Sequence, residues 1–178
     1  MATQTQSSRP DATEFPPFFA RYVANVPETD VLGALRDSGR ELDAALTAIP
    51  DARGGHRYAP DKWTIREVIG HMIDAERVFA YRAVTFARND KTALPSFDEN
   101  VWAANATFDS RTVADLVDEL EAVRSSTIHL AKHLNLEEQE RRGTASGQPV
   151  TVRALLYIIA GHERHHVAIL RERYLSQS

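Results

Sequence analysis

The chain has 178 residues, 43% of them apolar, enough for one domain with its own core. Its formal net charge of -4 offers no electrostatic footprint for nucleic acid or for an anionic membrane surface. Cysteine is absent, which excludes disulfides and thiolate cages and leaves His, Asp and Glu as the side chains able to hold a metal.

The polar start, residues 1–12, predicts a disordered tail ahead of a single domain over 13–178. It lacks the apolar core of a signal peptide, and no uncharged apolar run reaches membrane-spanning length, so a cytoplasmic protein is expected. Phe15, Phe18, Phe19 and Tyr22 form an aromatic arm expected to lie across the domain. A first helix is predicted from near Thr29 to Ile49, stopped by Pro50. After a loop over Asp51–Asp61, Thr64 with Glu67 three positions later reads as a capping box. It opens a second helix whose apolar positions keep the helical period to about Arg88, with Trp63 as a staple.

Residues 89–110 read as an irregular loop whose large apolar groups, Phe97, Val101, Trp102 and Phe108, imply that it packs down. A third helix is predicted after an N-cap at Asp109 or Ser110, ending near His133. Asn135–Pro149 reads as a connector with no strand pattern of useful length. Thr151 is expected to cap a fourth helix reaching about Tyr174. The fold class is therefore all-α, a four-helix bundle with long connecting loops.

The fourth helix carries the chemistry. His162 and His166 lie roughly 40° apart, one turn apart, near the centre of an apolar stripe, so both should point inward and need partners. A divalent metal is one such partner, although an HxxxH spacing alone leaves metal binding open. His165 falls roughly 80° off that stripe and reads as a rim residue. His71 sits at the flank of the second helix's stripe, from which it can still face a neighbouring helix. Glu76 falls near the middle of the same stripe, where a carboxylate needs a partner: a ligand imidazole that it orients, a substrate proton that it removes as a base, or a buried Arg82 or Arg164. Glu163 and Arg164 are expected to face solvent or a second subunit. His56 reads as an exposed loop residue, and His129 and His133 as charges near a helix C-terminus.

Lys62-Trp63-Thr64, Gly70-His71 followed by Asp74-Ala75-Glu76-Arg77, Phe97-Asp98-Glu99-Asn100 and Gly161-His162-Glu163-Arg164-His165-His166, in that order, resemble the DinB-like superfamily and within it the YfiT-like metal-dependent enzymes. The resemblance spans about Val31 to Tyr174. It implies a four-helix bundle, often homodimeric, in which His71 joins His162 and His166 to hold a divalent ion, zinc or nickel. Three neutral imidazoles would leave one position of a tetrahedral ion open, the arrangement of catalytic sites. Such a site activates water, giving a hydrolase, or a low-molecular-weight thiol such as bacillithiol or mycothiol, giving a transferase or isomerase acting on a small molecule. The competing expectation is a non-catalytic, stress-associated helical module whose metal is structural or absent.

Overall fold

The computed structural model describes residues 8–47 and 49–175; the predicted tail over 1–7 lies outside the described residues. Four long helices form the body: α2 (Val31–Leu46), α3 (Ile65–Ala87), α5 (Val113–Lys132) and α7 (Val152–Ile169). Each of α2 and α3 packs against both α5 and α7, so the bundle runs α2, α7, α3, α5 around its axis. Ahead of them lies α1 (Ala20–Ala24), and between them lie α4 (Glu99–Asn105), α6 (Leu136–Glu140) and the strands β1 (Arg142–Ala145) and β2 (Gln148–Thr151). Among the described residues no helix is long and apolar enough to cross a membrane.

The helix starts follow from side chains that satisfy the first free N–H groups. Asp30 caps α2, accepting from the amides of Leu32 and Gly33. At α3 the capping box is complete, with Glu67 N–H donating to Thr64 Oγ1 at 3.0 Å and Thr64 N–H to Glu67 Oε2 at 2.6 Å. Thr151 caps α7 by accepting from Ala154 N–H, while its own hydroxyl donates to the buried Glu14. The cap of α5 is Thr112, not Asp109 or Ser110, because Ser110 is spent in a short 3-10 turn and Asp109 accepts from the Thr64 hydroxyl instead. The last helix runs as α to Ile169 and continues as a π-turn over Leu170–Leu175.

Three segments depart from the sequence reading. Within residues 8–12, expected in the tail, Arg9 donates to Val23 O and Pro10 is buried. The loop over 89–110 contains α4, capped by Asp98 through the amides of Asn100 and Val101. The connector contains the β1–β2 hairpin, antiparallel with Ala145 opposite Gln148, whose turn residues Ser146 and Gly147 have φ of 53° and 74°. Two positive φ values are what a two-residue hairpin turn demands, and four-residue strands are too short to show an alternation.

Two cores fill the bundle. One gathers Leu35, Phe79, Phe86 and Leu155 with the α1 segment; the other gathers Leu42, Ile69, Leu116 and Leu170 at the opposite end. Close approach is built in by glycine: a Cβ on Gly161 would stand 1.9 Å from Tyr22 O, and one on Gly143 would meet the Phe86 ring at 2.1 Å. The first of these lets α1 lie directly on α7 beside its histidines.

Candidate metal centre

Helices α3 and α7 bring His71, His162 and His166 together. One ring nitrogen from each lies within 4.8 Å of the other two, with Nε2 of His162 3.0 Å from Nε2 of His71 and 3.1 Å from Nε2 of His166. His71 and His162 are buried, and His166 is partly so. Trp63 stands 4.8 Å from the His71 ring, and Tyr22 and Phe79 meet the His162 ring edge-on at 5.2 and 5.8 Å. This aromatic surround removes water from the imidazoles and disfavours their charged forms. Burial pulls the His71 pKa down to about 4. Burial, reinforced by the neighbouring rings, holds His162 and His166 well below the ordinary value. All three are neutral at pH 7 and present lone pairs.

The donor set fits a cation. Nε2 of His162 is within hydrogen-bond distance of two ring nitrogens, yet a neutral imidazole nitrogen carries either one proton or one lone pair and cannot serve both. A divalent ion accepting a lone pair from each ring satisfies all three. Ligand nitrogens at 2.0–2.1 Å around a tetrahedral ion stand about 3.3 Å apart, close to the 3.0 and 3.1 Å from His162 to the other two. Among the described residues no carboxylate joins the cluster.

The other histidines stand elsewhere. His165 packs against Tyr22 at 5.4 Å, outside the cluster. His56 is set against Tyr174, 6.2 Å between rings, and His133 bonds the His129 carbonyl at the exposed end of α5.

Glu76 is buried, but its partner is Arg124 of α5, not Arg82 or Arg164. Arg124 Nε and Nη2 donate to its two oxygens at 3.0 and 2.9 Å. No hydrogen bond among the described residues joins Glu76 to a cluster imidazole, so its contacts give no support to a role in orienting a ligand or as a base. Arg124 also pairs with Glu163 and donates to the Leu35 carbonyl and the Ser38 hydroxyl, while Ser38 donates to Glu163 at 2.8 Å. Glu163 is thus buried at 3% exposure rather than solvent-facing, and burial raises its pKa to about 7. Arg164 is held by Glu28 and Glu41 of the same chain. Sequence reasoning missed Arg124 although a signal existed, since it lies four residues past Leu120 and three before Thr127 on the buried face of α5.

A cavity of about 270 Å³ opens beside the cluster, walled by Phe19, Tyr22 and Phe79, with His71 and His162 at one side and Arg82 and Ser146 at another. A separate, more polar recess reaches His166 past Lys62, Trp63 and Asn100.

Comparison with known proteins agrees with this architecture. YfiT from Bacillus subtilis, described as a probable metal-dependent hydrolase with an unusual four-helix bundle topology, superposes with a TM-score of 0.73 at 17% identity, covering 93% of this chain and 91% of that one. A mycothiol-dependent maleylpyruvate isomerase gives 0.67 at 14% identity, covering 82% of this chain and 61% of that one. In sequence, a protein of Geobacillus thermodenitrificans named "Putative metal-dependent hydrolase" is 26% identical over 141 residues, 77% of this chain and 78% of its own length. A relative in Geobacillus kaustophilus with the same designation is 26% identical over 149 residues, 80% of this chain and 83% of its own. The profile of the DinB superfamily matches residues 34–170, from α2 through the end of α7, and the chain belongs to that superfamily.

Proposed function

We propose that this chain is a metal-dependent enzyme in which His71, His162 and His166 hold a divalent ion, zinc or nickel, with at least one coordination position left to the substrate side. The observation that carries the reading is the convergence of three neutral Nε2 atoms beside an apolar cavity, with no fourth protein ligand among the described residues. When bound, the ion supplies a Lewis acid able to ionise water or a thiol near neutral pH. The chain's own groups do the rest. Tyr22, Phe79 and Trp63 keep bulk water from the imidazoles, and the Glu76–Arg124–Glu163 network fixes α7 against α3 and α5, setting where His162 and His166 point.

Hydrolysis and thiol transfer both suit such a centre. The names of the sequence relatives support the first, and the mycothiol-dependent neighbour supports the second. Metal analysis of the purified protein tests the centre itself. About one ion per chain is expected in the wild type and in His165→Ala, and loss of the ion in His71→Ala, His162→Ala and His166→Ala with helicity little changed. Equal loss in all four variants, or no ion after loading with zinc or nickel, contradicts the assignment. Assaying the loaded protein against activated esters and against bacillithiol or mycothiol with an electrophile then separates the two chemistries.

A further inference from the structure

We propose that Arg82 is the anion-binding end of the cavity beside the three imidazoles, so that the substrate is a small carboxylate with an apolar body, its carboxylate on Arg82 and its reacting end at His71 and His162. This builds on the proposed metal centre, but the carboxylate contact is measurable apart from it.

Arg82 is only 3% exposed, on the face of α3 that carries Phe79. A buried guanidinium is ordinarily met by a carboxylate, as Arg124 is in this same bundle. Arg82 has none. Its partners among the described residues are neutral oxygens, the Pro95 carbonyl at 2.8 Å and the Ser146 hydroxyl at 3.0 Å, and both are reached by Nη2 alone. Nε and Nη1 carry no hydrogen bond to any described residue, yet neither is among the atoms sealed from solvent without a partner. Burial lowers the Arg82 pKa with no acidic neighbour opposing it, in keeping with an uncompensated charge. Glu99 also borders the cavity, but it is exposed and forms no ion pair with Arg82.

The head group is also held in place. Ser146 takes φ of 53°, a left-handed conformation costly for a side-chain-bearing residue, at the tip of the β1–β2 hairpin. Its amide donates to Leu94 O and its hydroxyl accepts from Arg82 Nη2, so hairpin, loop and guanidinium lock one another. With Nη2 occupied, Nε and Nη1 remain as donors on different edges of the head group, and a carboxylate entering the cavity takes one charge-assisted hydrogen bond from it.

The length of the ligand follows from Phe79, whose ring centre is 5.8 Å from the His162 ring and 5.9 Å from Arg82 Cζ. One aromatic ring therefore separates the anion end from the imidazoles. The cavity, near the lower end of the ~300–1,000 Å³ typical of small-molecule sites, suits a body of about that size.

The test titrates the purified protein with 3-phenylpropanoate and its neutral isostere 3-phenylpropanamide, following both by calorimetry and by ligand NMR. The acid should bind about tenfold tighter than the amide, as one charge-assisted contact implies. Arg82→Met should abolish the preference, and Arg82→Lys, which keeps the charge, should retain part of it. Metal content is measured on the same samples. A protein that takes up no zinc or nickel on loading and still prefers the acid leaves the Arg82 assignment standing and refutes the metal centre. Equal binding of acid and amide by the wild type, no binding of the acid up to about 10 mM, or an undiminished preference in a folded Arg82→Met overturns the assignment. Should Arg82→Met not fold, the wild-type comparison and Arg82→Lys decide.

Discussion

At the scale of single residues, the chain handles its buried polar groups in two ways. Arg124 has two carboxylates, Glu76 and Glu163, and every nitrogen of its guanidinium bonds a buried acceptor. Removing it strands two buried acids, which is the costly way to break an ion pair. Arg124→Met is expected to destabilise the protein by about 3–5 kcal/mol in denaturant melts, well above the loss of packing alone. A loss below about 1 kcal/mol would show that the network contributes no more than an exposed pair. The histidines are handled differently, by burial without a protein partner able to satisfy all three.

The same scale shows where sequence patterns stopped being informative. His162 and His166 are legible because two imidazoles one turn apart in an apolar run must face one way. Glu163 is misread by the same helical wheel. Helix α7 packs against α1, α2 and α3 and is buried on nearly every side, so a residue off the apolar stripe is not thereby in water. The partner of Glu76 was hidden because it lies 48 positions away on another helix, a pairing that helical periodicity does not encode.

Among elements, the long helices and their caps follow from local chemistry, and the capping box at Thr64 and Glu67 is readable from the sequence because it is contained within four residues. The short elements α4 and the β1–β2 hairpin are not, since seven- and four-residue segments carry less periodicity than the noise of composition. Yet the hairpin delivers Ser146 to the cavity, and α1 delivers Tyr22. The junction of α1 with α7 depends on Gly161. Gly161→Ala places a methyl group 1.9 Å from a backbone oxygen, so α1 has to move. A loss of about 1–3 kcal/mol is expected, with hydrogen exchange over residues 20–25 accelerated more than over α5. Unchanged stability and exchange would mean that α1 is not seated on α7 as described.

On the scale of the whole molecule, the cavity is assembled from parts distant in sequence: the aromatic arm, the middle of α3, the hairpin and the second half of α7. The arm is anchored at its start by Glu14, which takes the Thr151 hydroxyl and the Arg153 guanidinium, so the cap of α7 and the cavity wall are tied by one carboxylate. The bundle thereby holds three imidazoles rigidly at a site that opens to an apolar space, which suits a metal centre that meets a small substrate.

X-ray absorption at the metal edge, on protein purified and loaded with zinc or nickel, is the most direct test of this centre. One ion per chain is expected, with three imidazole nitrogens at about 2.0–2.1 Å and the remaining positions filled by exchangeable, non-protein ligands. A spectrum with no histidine shell, or with every position taken by protein groups that small ligands do not displace, would contradict it.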